Sequence, residues 1–206
     1  TLIPEKSLQI IGRFLERGTI TRSYKVVAIN EKLRDYTISL GAAPEKTAVI
    51  GAGIDLERFH PGIDGTKIRD TYRIKPDDIV LFFMGWIYHF SGLKEVALEI
   101  GLHRDEYRNV KLLIVGDGDA FDDLVTIREK YQLNNQIILA GKKSYEEIPE
   151  YIAAADVCIL PAYPDEPIMQ DIVPIKLYEY LAMGKPVITT RLPGIMKEFG
   201  EKNGVV

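Results

Sequence analysis

A lysine and a glutamate lie three residues apart near the carboxyl end of the sequence, at Lys176 and Glu179, and Asp171 precedes them. Pro174 favours the first turn of a helix, on which residues three apart share one face. A helix amino end attracts phosphate, an ammonium neutralises it, and carboxylates accept hydrogen bonds from sugar hydroxyls. The segment therefore predicts a site for a ligand that contains phosphate and sugar groups.

A structural interpretation of the same side chains stays open at this point. A Lys–Glu pair on one helix face contributes only about 0.2 to 0.5 kcal/mol to stability, and an aspartate ahead of a helix is a common cap. Spacing alone does not decide between a ligand site and an ordinary helix start.

A loop bracketed by two glycines follows the most apolar run of the chain. It extends from Gly85 to Gly92 and contains Trp86 and Ser91. Glycines let a ligand approach the backbone closely, and the helix predicted after Gly92 offers free N–H groups to an anion. The loop could contribute to the same site, or it could be a strand-to-helix turn without a ligand.

Two further loops offer weaker signals. Gly116 and Gly118 surround an aspartate in a pattern typical of a tight turn, and the third glycine of the dinucleotide-binding fingerprint is missing. Asp119 is positioned to cap the helix that follows. Lys142 could line a cleft for an anionic ligand, or it could be solvated.

Short apolar runs alternate with amphipathic stretches and must position these loops. Most runs are continuously apolar, which is typical of strands buried on both faces of a parallel sheet. The pattern predicts an α/β fold, a Rossmann-like doubly wound open parallel sheet with helices on both faces, whose ligands bind beyond the carboxyl ends of the strands. The predicted strands cover 25–30, 47–53, 78–87, 110–118, 135–141, 157–162 and 186–191.

Composition excludes several classes of protein. Of 206 residues, 46% are hydrophobic and 27% charged, which suffices for a core. The net charge of −4 and the absence of a basic run argue against a nucleic-acid partner. The single cysteine, Cys158, favours a cytoplasmic setting, and no metal-binding spacing occurs. The apolar run 79–90 is shorter than the roughly 18 to 20 residues of a membrane span, which leaves peripheral membrane association open.

Several motifs, in order along nearly the whole chain, resemble those of the group 1, glycogen-synthase-like glycosyltransferases of GT-B fold. The second of them covers residues 49–61 and the last contains both Lys176 and Glu179. The motifs are VVAINEKLRDYTI, VIGAGIDLERFHP, VKLLIVGDGD, IILAGKKSYEEIPEYIAAADVCILPA and PIKLYEYLAMGKPVITT.

The resemblance implies one half of a two-domain, hexosyltransferase-type enzyme. Residues 25–206 would form the nucleotide-sugar-binding domain, truncated at its carboxyl end, and residues 1–24 would be a helix connecting it to a missing amino-terminal acceptor domain. The fragment alone is then expected to be inactive. The resemblance further implies a nucleoside diphosphate sugar as donor, retention of anomeric configuration, and neither metal nor cofactor.

The resemblance also assigns roles to individual residues. Glu179 would hold the ribose hydroxyls and Asp171 would contact the transferred sugar. The family usually has a glutamate at the position of Asp171. Ile172 and Val173, at the helix amino end, join the donor-binding set. Its other members are the loop residues Gly85, Trp86, Ser91, Gly92, Gly116, Gly118 and Lys142.

One departure from the family concerns charge. The family usually places an arginine and a lysine, which neutralise the leaving diphosphate, at the positions of Trp86 and Ser91. A charge-assisted hydrogen bond contributes roughly 1.5 to 3 kcal/mol, so their loss requires a substitute. Lys176 is the first candidate, and Lys94 and Lys142 are the alternatives.

Other functions remain open on the sequence. A non-catalytic nucleotide- or sugar-binding module could keep the fold after losing the basic pair. A related epimerase would need catalytic groups from the missing half, because His60, His89 and His103 form no recognisable set. The acceptor, whether glycan, lipid or small molecule, is not encoded in recognisable residues. The expected location is the cytoplasm, either free or at the inner face of the membrane.

Overall fold

Seven strands form two separate parallel sheets in the computed structural model of the protein, which describes residues 6–166, 169 and 173–200. By its internal contacts the chain divides into two compact units, Thr1–Gly53 and Ile54–Val206. No helix in the described part of the chain is long and apolar enough to cross a membrane.

The first unit contains two helices and a two-stranded sheet. In α2 the Asn30 side chain caps the helix by accepting a hydrogen bond from the Leu33 N–H at 2.8 Å. Strands β1 and β2 pair in parallel. The elements are α1 (Lys6–Arg22), β1 (Val26–Ala28), α2 (Glu31–Ser39), a 3₁₀ turn (Pro44–Lys46) and β2 (Thr47–Val49).

The second unit contains a five-stranded parallel sheet of order β5-β4-β3-β6-β7. Each of its strands falls within one of the predicted apolar runs, and the inner strands β4, β3 and β6 are largely buried. The sheet order confirms the predicted doubly wound arrangement. The strands are β3 (Ile79–Trp86), β4 (Val110–Asp117), β5 (Ile137–Gly141), β6 (Val157–Leu160) and β7 (Val187–Thr189).

Helices connect the strands of this sheet and cover both of its faces. Helix α7 begins at Ile175 with Pro174 as its cap, close to the predicted start of this helix near Pro174. The helices are α3 (Thr66–Thr71), α4 (Leu93–Leu102), α5 (Phe121–Lys130), α6 (Ile148–Ala153), α7 (Ile175–Ala182) and α8 (Pro193–Phe199).

The chain reverses its direction across the sheet between β3 and β6. It moves outward through β4 and β5, then returns to place β6 on the other side of β3. Such a switch point leaves a crevice at the carboxyl ends of the two central strands, because the connecting loops there diverge to opposite faces. The fold therefore places its crevice where β3 ends in Gly85 and where the segment after β6 leads into α7.

A buried tyrosine fixes α7 against β3. Tyr180 is fully buried, and its hydroxyl accepts a hydrogen bond from the Met84 N–H at 3.0 Å. Its ring meets Phe82 edge to face at 5.8 Å. These contacts place the first turn of α7 beside the carboxyl end of β3.

The division into units differs from the predicted domain organisation. The sequence assigns β1 and β2 to the same domain as the large sheet, with a boundary between residues 24 and 25. In the described residues, however, these strands pair only with each other. The boundary between the two compact units falls in the sequence between Gly53 and Ile54. The missing acceptor domain and the truncated carboxyl end remain predictions.

Candidate functional site

Gly85 and Lys176 meet at the switch point. Gly85 has φ +125°, and a Cβ added there would lie 2.5 Å from the Lys176 Nζ. A residue with a side chain would be strained at this φ and would displace the ammonium. The glycine therefore lets a lysine from α7 reach the end of β3.

The Lys176 ammonium is held in a largely apolar setting. Its Nζ lies 4.3 Å from the ring centroid of Phe83. Burial lowers the pKa of Lys176 to about 8, against the opposing effect of Glu179. An anion that entered the crevice would stabilise this ammonium, because a nearby negative charge favours the protonated form of the lysine.

Glu179 lies one turn further along α7 and is buried, with 5% of its surface exposed. Its Oε1 accepts a hydrogen bond from the Tyr145 hydroxyl at 3.0 Å. Burial raises the pKa of Glu179, whereas Tyr145 and Lys176 lower it. The carboxylate is thus a hydrogen-bond acceptor held in a fixed position.

The ends of β3, β4 and β5 are joined by a polar cluster at the same edge. Lys142 Nζ lies 3.2 Å from Asp117 Oδ2 and 5.7 Å from the Trp86 ring centroid. The Trp86 indole N–H donates to Asp119 Oδ2 at 3.3 Å. Hydrogen bonding from the Gly118 N–H, and then from Lys142, lowers the pKa of Asp117. Lys142 therefore has a carboxylate partner already.

The predicted cap at Asp119 is wrong. Helix α5 begins at Phe121 after Ala120, which occupies the cap position without a side-chain hydrogen bond. The Asp119 carboxylate is instead directed at the indole of Trp86. The acceptor that the sequence assigned to a helix end thus belongs to the polar cluster.

Glycines keep the edges of β3 and β4 close together. Gly116 pairs with Gly85, and a Cβ on Gly116 would overlap the Gly85 carbonyl. A Cβ on Gly118 would lie 2.5 Å from the Ile87 backbone nitrogen. These two predicted loop glycines therefore allow close backbone packing at the edge.

The remaining predicted site residues do not gather around Lys176 and Glu179 in the described contacts. Ser91 is buried, with 7% of its surface exposed, and Gly92 packs against Pro161 as the cap of α4. Lys94 Nζ lies 3.6 Å from Asp123 Oδ2. Val173 is half-buried against the core, just before α7. Asp171 and Ile172 lie outside the described residues, so their predicted roles stay predictions.

Tyr145 is a site residue that the sequence analysis missed. It lies in the turn before α6, where Ser144 and Glu147 have capping-box spacing and the Ser144 N–H donates to the Glu147 Oε2 at 3.0 Å. That spacing places a turn at Tyr145, but nothing in it indicates a partner 34 residues away. Only the fold brings Tyr145 to Glu179.

Replacing Gly85 by Ala is expected to destabilise the protein by about 1 to 3 kcal/mol, because the new Cβ combines a disfavoured φ with the Lys176 contact. Gly141→Ala is the matched control, since Gly141 also has positive φ, +69°, but an added Cβ there meets nothing within 4 Å. Gly141→Ala should lower the free energy of unfolding by about 1 kcal/mol. Denaturant unfolding measures both, and equal losses would contradict the role given to the Lys176 contact.

The comparisons with known proteins begin with a family model. The model described as "Glycosyl transferases group 1" matches residues 64–206. TuaH of Bacillus subtilis, by name a teichuronic acid biosynthesis glycosyltransferase, is 33% identical over 95% of this chain and 45% of its own length. An Escherichia coli UDP-Gal:alpha-D-GlcNAc-diphosphoundecaprenol alpha-1,3-galactosyltransferase is 24% identical over 92% of this chain and 48% of its own length. The chain thus spans about half the length of these relatives.

Solved structures share the fold. WaaG, a glycosyltransferase involved in lipopolysaccharide biosynthesis, matches 98% of this chain and 54% of its own with a TM-score of 0.73 and 22% identity. Anabaena Alr3699/HepE, in a complex with UDP and glucose, matches 92% of this chain and 51% of its own with a TM-score of 0.63 and 20% identity. These likenesses confirm the predicted half of a GT-B fold.

Proposed function

The chain belongs to the group 1 glycosyl transferases, and from this premise we propose that it is the donor-binding part of an enzyme that transfers a sugar from a nucleoside diphosphate sugar. The observation that carries the proposal is the arrangement at the switch point of the sheet. Lys176 lies against Gly85 there, and Glu179 is close enough to Lys176 for the ammonium to lower its pKa. An ammonium and a fixed carboxylate there match a diphosphate and a ribose. The relatives named as glycosyltransferases, and the UDP in the Alr3699/HepE structure, support the same donor class.

In the proposed arrangement the diphosphate binds at the amino end of α7. Negative charge develops on the departing diphosphate as the sugar leaves, and Lys176 stabilises it more strongly than water does because the ammonium is already desolvated. Free backbone N–H groups at the start of the helix add to this attraction. Ile172 and Val173, which precede the helix in the sequence, complete the proposed diphosphate contact.

Two carboxylates orient the rest of the donor. Glu179 accepts hydrogen bonds from the ribose hydroxyls, and its fixed side chain loses little rotational freedom on binding. Asp171 orients the transferred sugar. Trp86 and Lys142 at the neighbouring strand ends form the wall next to the nucleotide. Transfer with retention of configuration, without a metal or a cofactor, and of a hexosyl group, is part of the proposal.

The acceptor side belongs to the longer protein. Because the chain spans about half of its relatives' length, we place the acceptor site in a preceding domain and expect no turnover from these residues alone. The acceptor is a glycan, a lipid or a small molecule. We place the enzyme in the cytoplasm, either free or at the inner face of the membrane, in keeping with its single cysteine.

A non-catalytic nucleotide- or sugar-binding module is the second candidate. One observation favours it: the positions that carry the usual basic pair hold Trp86 and Ser91 here, and Ser91 is buried. A protein that lost both cations could retain the nucleotide while losing the ability to activate the leaving group. Lys176 is the feature that favours the enzyme over this binder.

Titration of the full-length protein with nucleotide sugars separates these functions. Calorimetry with UDP-, ADP- and GDP-sugars should detect binding of at least one donor, and the same donor should be consumed when a mixture of candidate acceptors is added. Binding without consumption of the donor, by transfer or by hydrolysis, would favour the binding module. If no nucleotide sugar bound, both functions would be wrong.

A further inference from the structure

Tyr145 stands between Glu179 and the loop that precedes α3. Its hydroxyl donates to Glu179, its ring centroid lies 5.5 Å from that of Phe59, and the Arg58 guanidinium carbon lies 4.9 Å above the ring. Phe59 is completely buried, whereas Tyr145 is 49% exposed. The ring is therefore in contact with a core residue and with a guanidinium, while about half of the residue stays exposed.

A hydrogen-bond partner from outside α7 can select one orientation of the Glu179 carboxylate. A carboxylate on a helix has several rotamers, and a ribose requires one of them. Tyr145 occupies Oε1 only, and a carboxylate has two oxygens with about four acceptor sites. The hydrogen bond therefore fixes the rotamer while it leaves acceptor capacity for two ribose hydroxyls.

We infer that Tyr145 is a positioning residue for the donor, which holds the Glu179 carboxylate in the orientation that receives the ribose. The inference rests on the proposed function, because it takes Glu179 as the ribose-binding group. Phe59 and Arg58 fix the tyrosine ring, the ring fixes its hydroxyl, and the hydroxyl fixes Glu179. Tyr145 acts through Glu179 and takes no part in the chemical step.

The test is a double-mutant cycle on nucleotide binding. UDP, ADP and GDP are titrated into the full-length protein, and the tightest of the three serves as the probe. Tyr145→Phe keeps the ring and its packing, so the fold should be unaffected, and affinity should fall roughly threefold to tenfold. In the Glu179→Ala background the same change should have less than about a twofold effect, because the acceptor that Tyr145 orients is gone.

Tyr178→Phe is the matched control. The Tyr178 hydroxyl donates to Glu198 at 3.3 Å, so this variant removes a second tyrosine–glutamate bond from the same helix. Its affinity for the probe should equal that of the wild type. An equal loss in both tyrosine variants, or additive effects in the cycle, would overturn the inference while leaving the proposed function standing. Tighter binding by Tyr145→Phe would also overturn it, because the tyrosine would then compete with the ribose.

A pH profile gives a second readout. Glu179 faces Lys176 and Tyr180 on its own helix and Tyr145 from the turn before α6, and the Tyr145 hydrogen bond lowers the pKa of Glu179. The acid limb of nucleotide affinity should therefore move to higher pH in Tyr145→Phe, since the carboxylate protonates more readily. Arg58 and Asp55, which face Tyr145, are unchanged in the variant. An unmoved acid limb would contradict the inference. If the wild type bound none of the three probes, the proposed function and the inference would both fail.

Discussion

Replacing Glu179 by Ala is expected to weaken nucleotide binding by roughly tenfold to a hundredfold. The carboxylate is 5% exposed and hydrogen-bonded to Tyr145, so in the proposed site it would meet the ribose already desolvated and oriented. Removing a charged acceptor deprives the ribose hydroxyls of this hydrogen-bond partner. Calorimetric titration of the full-length protein with the nucleoside diphosphate that binds most tightly measures the change.

Glu198→Ala provides the control for this prediction. Glu198 accepts a hydrogen bond from Tyr178 and is exposed on α8, so its loss removes a carboxylate next to α7 without touching the crevice. Its affinity should match that of the wild type. Affinity that is unchanged in Glu179→Ala would refute the assignment of Glu179 to the ribose.

Replacing Lys176 by Met is expected to lower kcat by roughly a hundredfold to a thousandfold. Methionine retains an unbranched side chain next to Phe83 and Gly85. It removes the charge that would face the departing diphosphate in the proposed arrangement. The folded protein should be no less stable, because a desolvated ammonium is replaced by an apolar group. Turnover of the full-length enzyme, with unfolding measured in parallel, separates lost chemistry from lost fold.

The pH dependence gives Lys176 a signature of its own. With a pKa of about 8 before the donor binds, the ammonium is charged below that pH and loses its charge as the pH rises through it. The value of kcat/KM, which reports the free enzyme, should therefore fall on the alkaline side. The lysine also binds its proton more weakly in the folded chain than in the unfolded one. Stability should therefore increase between about pH 8 and pH 10.5, and Lys176→Met should remove this increase.

Lys94→Met is the corresponding control. Lys94 Nζ lies 3.6 Å from Asp123 and its side chain is 46% exposed. Its replacement should change kcat by less than about twofold. If Lys176→Met kept the wild-type rate and Lys94→Met or Lys142→Met did not, the leaving-group role would belong to one of the other two lysines. If none of the three mattered, the binding module would be favoured.

The sheet could be predicted because its strands carry their own signal. Runs 78–87 and 110–118 contain the unbroken apolar stretches 79–84 and 112–115, and such stretches fit a parallel sheet covered on both faces. The same signal does not say which sheet a strand joins. Runs 25–30 and 47–53 also contain short apolar stretches with Val and Ile, yet they form a sheet of their own. Pairing partners depend on contacts far apart in sequence, which a local pattern does not contain.

The candidate site could be predicted only in part, for a related reason. Lys176 and Glu179 share a helix, so their spacing shows that they lie on one face. Gly85 is 91 positions before Lys176, and neither its positive φ nor the lysine beside it can be inferred from its neighbours. Tyr145 and Asp119 also have partners that are distant in the sequence. Their local patterns indicate a turn and a cap, whereas their tertiary partners are Glu179 and Trp86.

The lowered pKa of Lys176 also makes the side chain a nucleophile. At about pH 7.4, a pKa of about 8 leaves roughly a fifth of the molecules with a free amine, whereas an ordinary lysine has about one in a thousand. Acylating reagents used in limiting amounts therefore discriminate between this amine and the exposed lysines of the surface. A bound diphosphate would favour the protonated form and shield it from the reagent. Covalent labelling of Lys176 can thus report occupancy of the crevice without knowledge of the acceptor.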